Sequence, residues 1–117
     1  MKNFHKLQIW QRSHQFALKI YKISELFPTR ESFGLTSQIQ RAATSIPINI
    51  AEGCGRGSES DFARFLQIAI GSASEVEEEL LLAKDLKYIS EKDFEDLEQE
   101  IKEIRSMITS YRLKIIQ

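Results

Sequence analysis

Cysteine and histidine are scarce in this sequence of 117 residues. A lone cysteine, Cys54, cannot form a disulfide within the chain, so we expect a reducing, cytoplasmic location. Neither His5 nor His14 has a glutamate three residues before it, whereas a di-iron helical bundle needs two such pairs. No histidine follows position 14 to activate the cysteine as a nucleophile. The sequence therefore predicts no metal, no cofactor and no enzymatic activity.

Long apolar runs and an excess of one charge are also missing. No stretch approaches the roughly 20 apolar residues of a membrane-spanning helix, and no secretory signal is recognised, so we expect no membrane association. The 16 basic and 17 acidic side chains give a net charge of -1, which provides no overall attraction to nucleic acid. Residues 1–67 nevertheless carry nine basic and five acidic side chains, against seven and twelve in residues 68–117. A local basic face is therefore compatible with the near-neutral total.

The composition that remains is that of one folded domain. Hydrophobic residues make up 42% of the chain and charged residues 28%, as in ordinary globular proteins. A chain of this length can bury one core but not two independent ones. We therefore predict a single domain over residues 1–117.

Apolar residues at helical spacing predict two helices in the first half of the chain. The first is expected over residues 7–26. Its inward positions are Trp10, Ser13, Ala17, Ile20 or Tyr21, Ser24 and Phe27. The second is expected from residue 35 or 36 to about 53, with Leu35, Ile39, Ala42, Ala43, Ile46 and Ile50 inward. Pro47 lacks an N–H and crowds the carbonyl of Ala43, so we predict a kink there rather than two short helices.

Two further helices are expected after a glycine-rich turn at residues 53–57. Ser58 and Ser90 each precede an aspartate by three residues and are expected N-caps. The third helix, over residues 59–86, has the inward seam Phe62, Leu66, Ala69, Ala73, Val76, Leu80 and Ala83. The fourth has Phe94, Leu97, Ile101, Ile104, Ile108, Tyr111 and Ile115. Short connections predict an all-α, antiparallel up-down-up-down four-helix bundle with helix two kinked at Pro47.

Several polar residues admit both a functional and a structural interpretation. The N–H groups that begin the third helix, together with Arg56, are placed to hold a phosphate or carboxylate. The alternative is an ordinary turn in which Arg56 pairs with Glu52. The four glutamates of residues 75–79 are interpreted as a solvated face that is able to pair with basic residues of another helix or subunit. Asn49 is expected to bond a backbone group left unpaired by the nearby proline.

Longer strings of residues resemble a known family. They are Phe27-Pro28, Glu31-x-Phe33-Gly34-Leu35, Gln38-Ile39-x-Arg41-Ala42-Ala43, Ser45-Ile46-Pro47-x-Asn49-Ile50-Ala51-Glu52-Gly53, Arg64-Phe65 and Ala69-x-Gly71-Ser72-Ala73-x-Glu75-x-Glu77. The chain resembles the bacterial four-helix bundle proteins called 23S rRNA intervening-sequence proteins, sometimes labelled ribosomal proteins. The resemblance extends from about Trp10 to Ile108 and is far more specific than a helical period.

This resemblance implies a homo-oligomer, expected to be a ring of five bundles, with a link to RNA and no enzymatic activity. Related accessory proteins of diversity-generating retroelements bind a reverse transcriptase and nucleic acid. RNA, DNA or a reverse-transcriptase-like protein are therefore the implied partners besides the protein itself. The positions that match the family's shared polar residues are Glu31, Gln38, Arg41, Asn49, Glu52, Arg56, Arg64, Glu75 and Glu77.

Two hypotheses of different class follow. The first is a homo-oligomeric scaffold that binds nucleic acid or a nucleic-acid enzyme. Its candidate basic residues are Lys19, Lys22, Arg41, Arg56 and Arg64. The second is a purely structural or protein-interaction bundle whose polar residues serve assembly. The mildly acidic pI of about 6.1 differs from the strongly basic character common among ribosomal proteins, and both hypotheses stay open.

Overall fold

Four α-helices make up most of the computed structural model, which describes residues 2–117. They are α1 (Gln8–Ser24), α2 (Leu35–Cys54), α3 (Glu59–Asp85) and α4 (Glu91–Ile116). Two 3-10 helices, Phe4–Lys6 and Thr29–Glu31, precede α1 and α2, and no strand occurs in residues 2–117. The prediction of an all-α protein with four helices is confirmed.

Each helix packs against two others, α1 and α3 both lying against α2 and α4. In the contacts between α1 and α4, residue numbers rise along one helix as they fall along the other. Arg12 contacts Glu103, while the later Lys19 contacts the earlier Glu100. This reversal is a property of antiparallel neighbours, although the full up-down-up-down order stays a prediction. The bundle measures 43 × 24 × 20 Å.

The inward seams of α3 and α4 follow the predicted period closely. All seven predicted residues of α3 are buried, as are the first five of α4. Tyr111 and Ile115 of α4 are half-buried because the last turns extend toward the end of the bundle. In α1, Ile20 is buried and Tyr21 is exposed, which decides between the two candidates. Phe16, which is not among the inward positions listed for the first helix, is also fully buried in the core.

The ends of α1 and α3 differ slightly from the predicted bounds. Helix α1 stops at Ser24 instead of residue 26, because the N–H groups of Leu26 and Phe27 donate to carbonyls three residues back. Such bonds tighten the last turn of a helix, and Pro28 then directs the chain into the loop. Helix α3 ends at Asp85, one residue early, and Lys87 follows with a φ of 67°.

Serine side chains cap α3 and α4 as predicted. The Ser58 hydroxyl accepts a hydrogen bond from the N–H of Asp61 at 3.2 Å, and Ser90 accepts from Asp93 at 3.0 Å. Each bond satisfies one of the N–H groups that a helix leaves free in its first turn. These caps fix where the two long helices begin.

Helix α2 passes through Pro47 as one continuous element, so it is not divided into two short helices. Pro47 removes the usual donor to the carbonyl of Ala43. Two nearby hydroxyl and amide groups bond other carbonyls of this stretch. Thr44 Oγ1 donates to the carbonyl of Gln40 at 2.9 Å, and Asn49 Nδ2 donates to that of Ser45 at 2.7 Å. The kink at Pro47 stays a prediction.

None of the helices in residues 2–117 is long and apolar enough to cross a membrane.

Candidate functional site

A polar groove lies between α2 and α3, and we call it the α2–α3 groove. It has a volume of about 390 Å³ and is open to solvent. Its lining residues are Gln38, Arg41, Ala42 and Ser45 of α2 and Ser72 and Glu75 of α3. Helical spacing places these α2 side chains on one side, at intervals of three and four residues. The groove is therefore a consequence of polar residues that lie just outside both inward seams.

Hydrogen bonds between short side chains close the floor of the α2–α3 groove. The hydroxyls of Ser45 and Ser72 are 2.8 Å apart, and Asn49 Nδ2 donates to Ser45 Oγ at 2.9 Å. The side chain of Asn49 donates to the backbone carbonyl of Ser45. It does not bond the carbonyl of Ala43, which lacks its usual donor because Pro47 has no N–H. Asn49 therefore links α2 to the serine pair that joins the two helices.

Helices α2 and α3 also approach each other closely at Gly53, near the end of α2. A Cβ atom there would lie 2.7 Å from Phe62 Cδ1 and 3.0 Å from Phe65 Cβ. A side chain at this position would have to displace the Phe62 ring, because real Cβ atoms essentially never lie as close as 2.7 Å to another atom. Cys54, the next residue, is buried, and burial raises the pKa of its thiol.

A buried carboxyl lies beside the α2–α3 groove. Glu79 has only 4% of its surface exposed, and its Oε1 has no hydrogen-bond partner. Burial, and after it the neighbouring carboxyl of Glu75, raise the pKa of this carboxyl to about 8. The expectation that all four glutamates of residues 75–79 form a solvated face is wrong for Glu79. Glu79 lies one helical turn beyond Glu75 and is taken out of water by the packing of the bundle.

The glutamate of the motif before α2 has a structural role. Glu31 Oε1 accepts a hydrogen bond from the N–H of Leu35 at 3.0 Å and thereby caps α2. Its Oε2 accepts from the hydroxyl of Tyr88 at 2.8 Å, which joins this loop to the loop between α3 and α4. These bonds hold the pKa of Glu31 below its usual value. A Cβ at Gly34 would lie 2.7 Å from Glu31 Oε1, so the glycine makes room for the cap.

Two arginines flank one aromatic ring at the turn between α2 and α3. The guanidinium carbons of Arg56 and Arg64 lie 4.7 and 4.6 Å from the centre of the Phe65 ring. Each arginine also has an acidic partner. Arg56 pairs with Glu52 at 3.2 Å, and Arg64 lies 3.7 Å from Asp61. The structure thus contains the Glu52–Arg56 ion pair that was the alternative to an anion site.

An apolar groove lies on the neighbouring side of the bundle, and we call it the α1–α2 groove. It has a volume of about 340 Å³ and is lined by Phe4, Trp10, His14, Ala17, Leu18, Tyr21, Thr44, Pro47, Ile48 and Ala51. Ile48 is 61% exposed and Leu18 54% exposed. The sequence interpretation missed this groove, because Leu18 and Ile48 fall outside the inward periods. That misfit of two large aliphatic residues was the available signal.

The sequence profile of 23S rRNA-intervening sequence proteins matches residues 5–110. The chain belongs to this family. A solved structure from Bacteroides thetaiotaomicron, described as a protein of unknown function from the S23 ribosomal protein family, is similar in fold. The two chains are 30% identical with a TM-score of 0.83, over 89% of this chain and 97% of that one. No curated protein matches this sequence.

In this 23S rRNA-intervening sequence family member, most of the polar residues singled out from the sequence lie on one side. Gln38, Arg41 and Glu75 line the α2–α3 groove, Asn49 bonds within it, and Glu52 follows Asn49 by three residues on the same helix. Glu77 lies on the other flank of α3. Its carboxylate accepts from Arg105 at 2.6 Å and lies 3.8 Å from Lys102. Glu31 is at the end of the bundle, as described above.

The five candidate basic residues of the family member do not form one patch. Lys19 pairs with Glu100 at 2.8 Å on the α1–α4 side, and Lys22 lines the same surface beside Asp93 and Asp96. Arg41 lies on the opposite side, in the α2–α3 groove. Arg56 and Arg64 are at the α2–α3 turn. In the described chain, residues 2–117, no group of three or more His, Cys, Asp or Glu is placed to hold a metal.

Proposed function

We propose that this member of the 23S rRNA-intervening sequence family is a non-enzymatic scaffold that assembles from copies of itself, with five copies expected. The observation that carries the proposal is the α1–α2 groove. Two of its large aliphatic side chains, Leu18 and Ile48, are more than half exposed in the isolated chain. Burying such a side chain fully stabilises an assembly by about 1.5–3 kcal/mol.

The chemistry of the α1–α2 groove supports an apolar, proteinaceous occupant. Aromatic and aliphatic side chains dominate its lining, and no lysine, arginine, aspartate or glutamate belongs to it. Contiguous exposed apolar surface of this kind is typical of protein interaction sites. A second copy of the chain is the occupant that we propose. A closed ring forms when the groove of each copy binds a different surface of the next copy and the rotation closes.

Sedimentation velocity of the purified chain at micromolar concentration tests the assembly. We expect one discrete oligomer, which Ile48→Glu in the α1–α2 groove dissociates by placing a charge in the apolar contact. Leu113→Glu is the matched control, since Leu113 is 49% exposed on α4 and outside the groove. A monomeric wild-type chain would contradict the proposal, and so would an I48E variant that assembles as well as L113E.

Nucleic-acid binding is the second candidate function. The observation that favours it is a basic corner at the α2–α3 turn, formed by Lys2, Arg56 and Arg64. The backbone N–H of Lys2 donates to the carbonyl of Cys54 at 3.2 Å, which holds the N-terminal segment near this turn. Lysine and arginine side chains that lie close together are suited to contacts with phosphates. A ring of copies would repeat this corner around its axis.

Fluorescence anisotropy with a structured RNA tests the basic corner. We expect binding at about 50 mM salt that weakens steeply by about 200 mM, because phosphate contacts release counterions. The double variant Arg56→Gln with Arg64→Gln should lower the salt slope by about two. Lys19→Gln with Lys22→Gln is the control with the same change of charge. Absence of binding at the lower salt, or equal losses in both double variants, would contradict this function. A reverse transcriptase in place of RNA extends the assay to the protein partner.

A further inference from the structure

Phe33 is the most exposed large apolar side chain in the part of the sequence that the structure describes. It lies in the turn between the 3-10 helix Thr29–Glu31 and α2 and is 100% exposed, so no other residue of 2–117 covers its ring. Aromatic side chains are enriched where proteins bind one another. An aromatic ring that lies wholly in water is therefore a feature of a binding surface more than of a folded core.

Hydrogen bonds on both sides of Phe33 hold its turn in place. Before it, the N–H and the hydroxyl of Ser32 both donate to the carbonyl of Thr29, at 3.0 and 2.7 Å. After it, the N–H of Gly34 donates to the carbonyl of Glu31 at 2.9 Å, and the Glu31 carboxylate caps α2. An ordered turn loses less entropy on binding than a flexible one does. Phe33 is thus suited to anchor an interface.

The α1–α2 groove has the chemistry that a phenyl ring requires. One of its walls is aromatic, with the Trp10 ring 5.1 Å from that of Phe4 and 4.7 Å from that of His14, between centroids. Tyr21 also lines the groove. Aromatic rings pack against one another edge to face or offset, and this wall provides such contacts. The groove volume of about 340 Å³ is small for a ligand pocket, so one ring and its neighbouring side chains fill much of it.

Phe33 does not reach the α1–α2 groove of its own chain. The α2 residues of the groove run from Thr44 to Ala51, and Thr44 lies nine residues beyond Leu35, where α2 begins. At 1.5 Å per residue this separation is roughly 14 Å along the helix axis. Each chain therefore carries an exposed ring and an exposed groove at different levels of the bundle, and only a second chain can bring the two together.

We propose that Phe33 of one copy inserts into the α1–α2 groove of the next copy. This inference rests on the assembly proposed above and names the surface that the groove binds. The ring supplies about 150–250 Å² of the roughly 800 Å² that each partner contributes to a stable interface, so Phe33 is its anchor and not the whole contact. Because the ring and the groove are different surfaces, the contact is heterologous and can close into a ring of copies.

Sedimentation velocity of Phe33→Ser over a range of concentrations tests the anchor. The ring is fully exposed, so the change should leave the unfolding free energy intact, which urea denaturation verifies. We expect F33S to raise the dissociation constant of the assembly about thirtyfold or more, as the loss of an interface anchor does. Leu26→Ser is the matched control, since Leu26 is 77% exposed in the same connection but faces the α1–α4 side. L26S should assemble like the wild type.

A mixture of two variants tests whether the anchor meets the groove. F33S keeps the groove and lacks the ring, whereas I48E keeps the ring and has a charge in its groove. We expect each variant to be monomeric alone. Together they retain one complete contact, so fluorescently labelled I48E with an excess of F33S should sediment as a one-to-one pair and nothing larger. Absence of this pair would overturn the insertion of Phe33 into the groove.

The results separate this inference from the assembly on which it rests. A monomeric wild-type chain contradicts both. A wild-type oligomer that I48E dissociates and F33S does not keeps the α1–α2 groove as an interface and overturns the role of Phe33. Equal losses of assembly in F33S and L26S would overturn it as well, because the effect would then not depend on the ring that faces the next copy.

Discussion

The α1–α4 side and the α2–α3 side of this bundle differ in whether their charged side chains form ion pairs. On the α1–α4 side, Arg12 pairs with Glu103 at 3.2 Å and Lys19 with Glu100 at 2.8 Å. On the α2–α3 side, within the described residues, Arg41, Glu75 and Glu79 have no ion-pair partner. Compensated surface charges are ordinary in a soluble protein and stabilise it little. The unpaired charges of Arg41 and Glu75 are therefore the ones that stay available to a binding partner.

The largest expected effect concerns the close approach of α2 and α3. Gly53→Val should destabilise the folded chain by about 3 kcal/mol, because its side chain overlaps the Phe62 ring and crowds the Cβ of Phe65. Urea denaturation measures the loss. Gly57→Ala is the control, since no atom lies within 4 Å of a Cβ there. A G53V variant as stable as G57A would mean that the two helices can separate freely.

The next effect is a dependence of stability on pH that arises at Glu79. The ordinary pKa of 4.5 is raised to about 8 in the folded chain, so the folded state holds a proton that the unfolded chain releases between these values. Stability should therefore fall as pH rises through this window, by up to roughly 1 kcal/mol per pH unit.

Urea denaturation between pH 5 and pH 8 measures the contribution of Glu79. Glu79→Gln should flatten the dependence, and Glu78→Gln, at an exposed position, should leave it intact. Parallel profiles for the wild type and E79Q would show that Glu79 is not held in its neutral form.

A smaller effect is expected from the hydrogen bonds that close the α2–α3 groove. Asn49→Ala removes both bonds to Ser45 and should destabilise the chain by about 1 kcal/mol. Gln67→Ala, at an exposed position of α3, is the control and should be neutral. Equal unfolding free energies for N49A and the wild type would show that Asn49 does not stabilise the fold.

The smallest effect is expected on the compensated side. Lys19→Gln breaks the pair with Glu100 and should change stability by less than about 0.5 kcal/mol, with the difference declining as salt is added. Thermal unfolding at low and high ionic strength measures it. A loss of stability larger than that of N49A would mean that the ion pair on the α1–α4 side stabilises the fold more than the hydrogen bonds of the α2–α3 groove.

The parts of the fold that the sequence predicted are those governed by local periods. Spacings of three and four residues identified seven buried positions of α3 but not Ala63, Phe65 and Glu79. Serine followed by aspartate identified two caps. These features depend on neighbours within one or two turns of the same helix. The Glu31 cap was not recognised as a cap, because its glutamate comes from a separate 3-10 helix and depends on the space at Gly34.

The grooves were harder to predict because they depend on pairs of helices. In the sequence Glu79 looks like one member of an acidic run, and its burial results from the packing of the helices. The motif identified Gln38, Arg41 and Glu75 as a set, but their meeting in one groove needed the packing of α2 on α3. Basic residues spread over the sequence suggested a nucleic-acid surface, whereas the fold disperses Lys19 and Arg41 to opposite sides.

Because Cys54 is buried, its reaction with a thiol reagent reports local opening of the protein. The thiol is 3% exposed at the end of α2, and burial raises its pKa, so a thiol reagent reacts only when the chain opens locally. Since the sequence contains a single cysteine, the labelling rate measures how often the α2–α3 turn opens, and no engineered probe is needed. Ligands or assembly that tighten this turn will lengthen the labelling time, and those that leave it free will not.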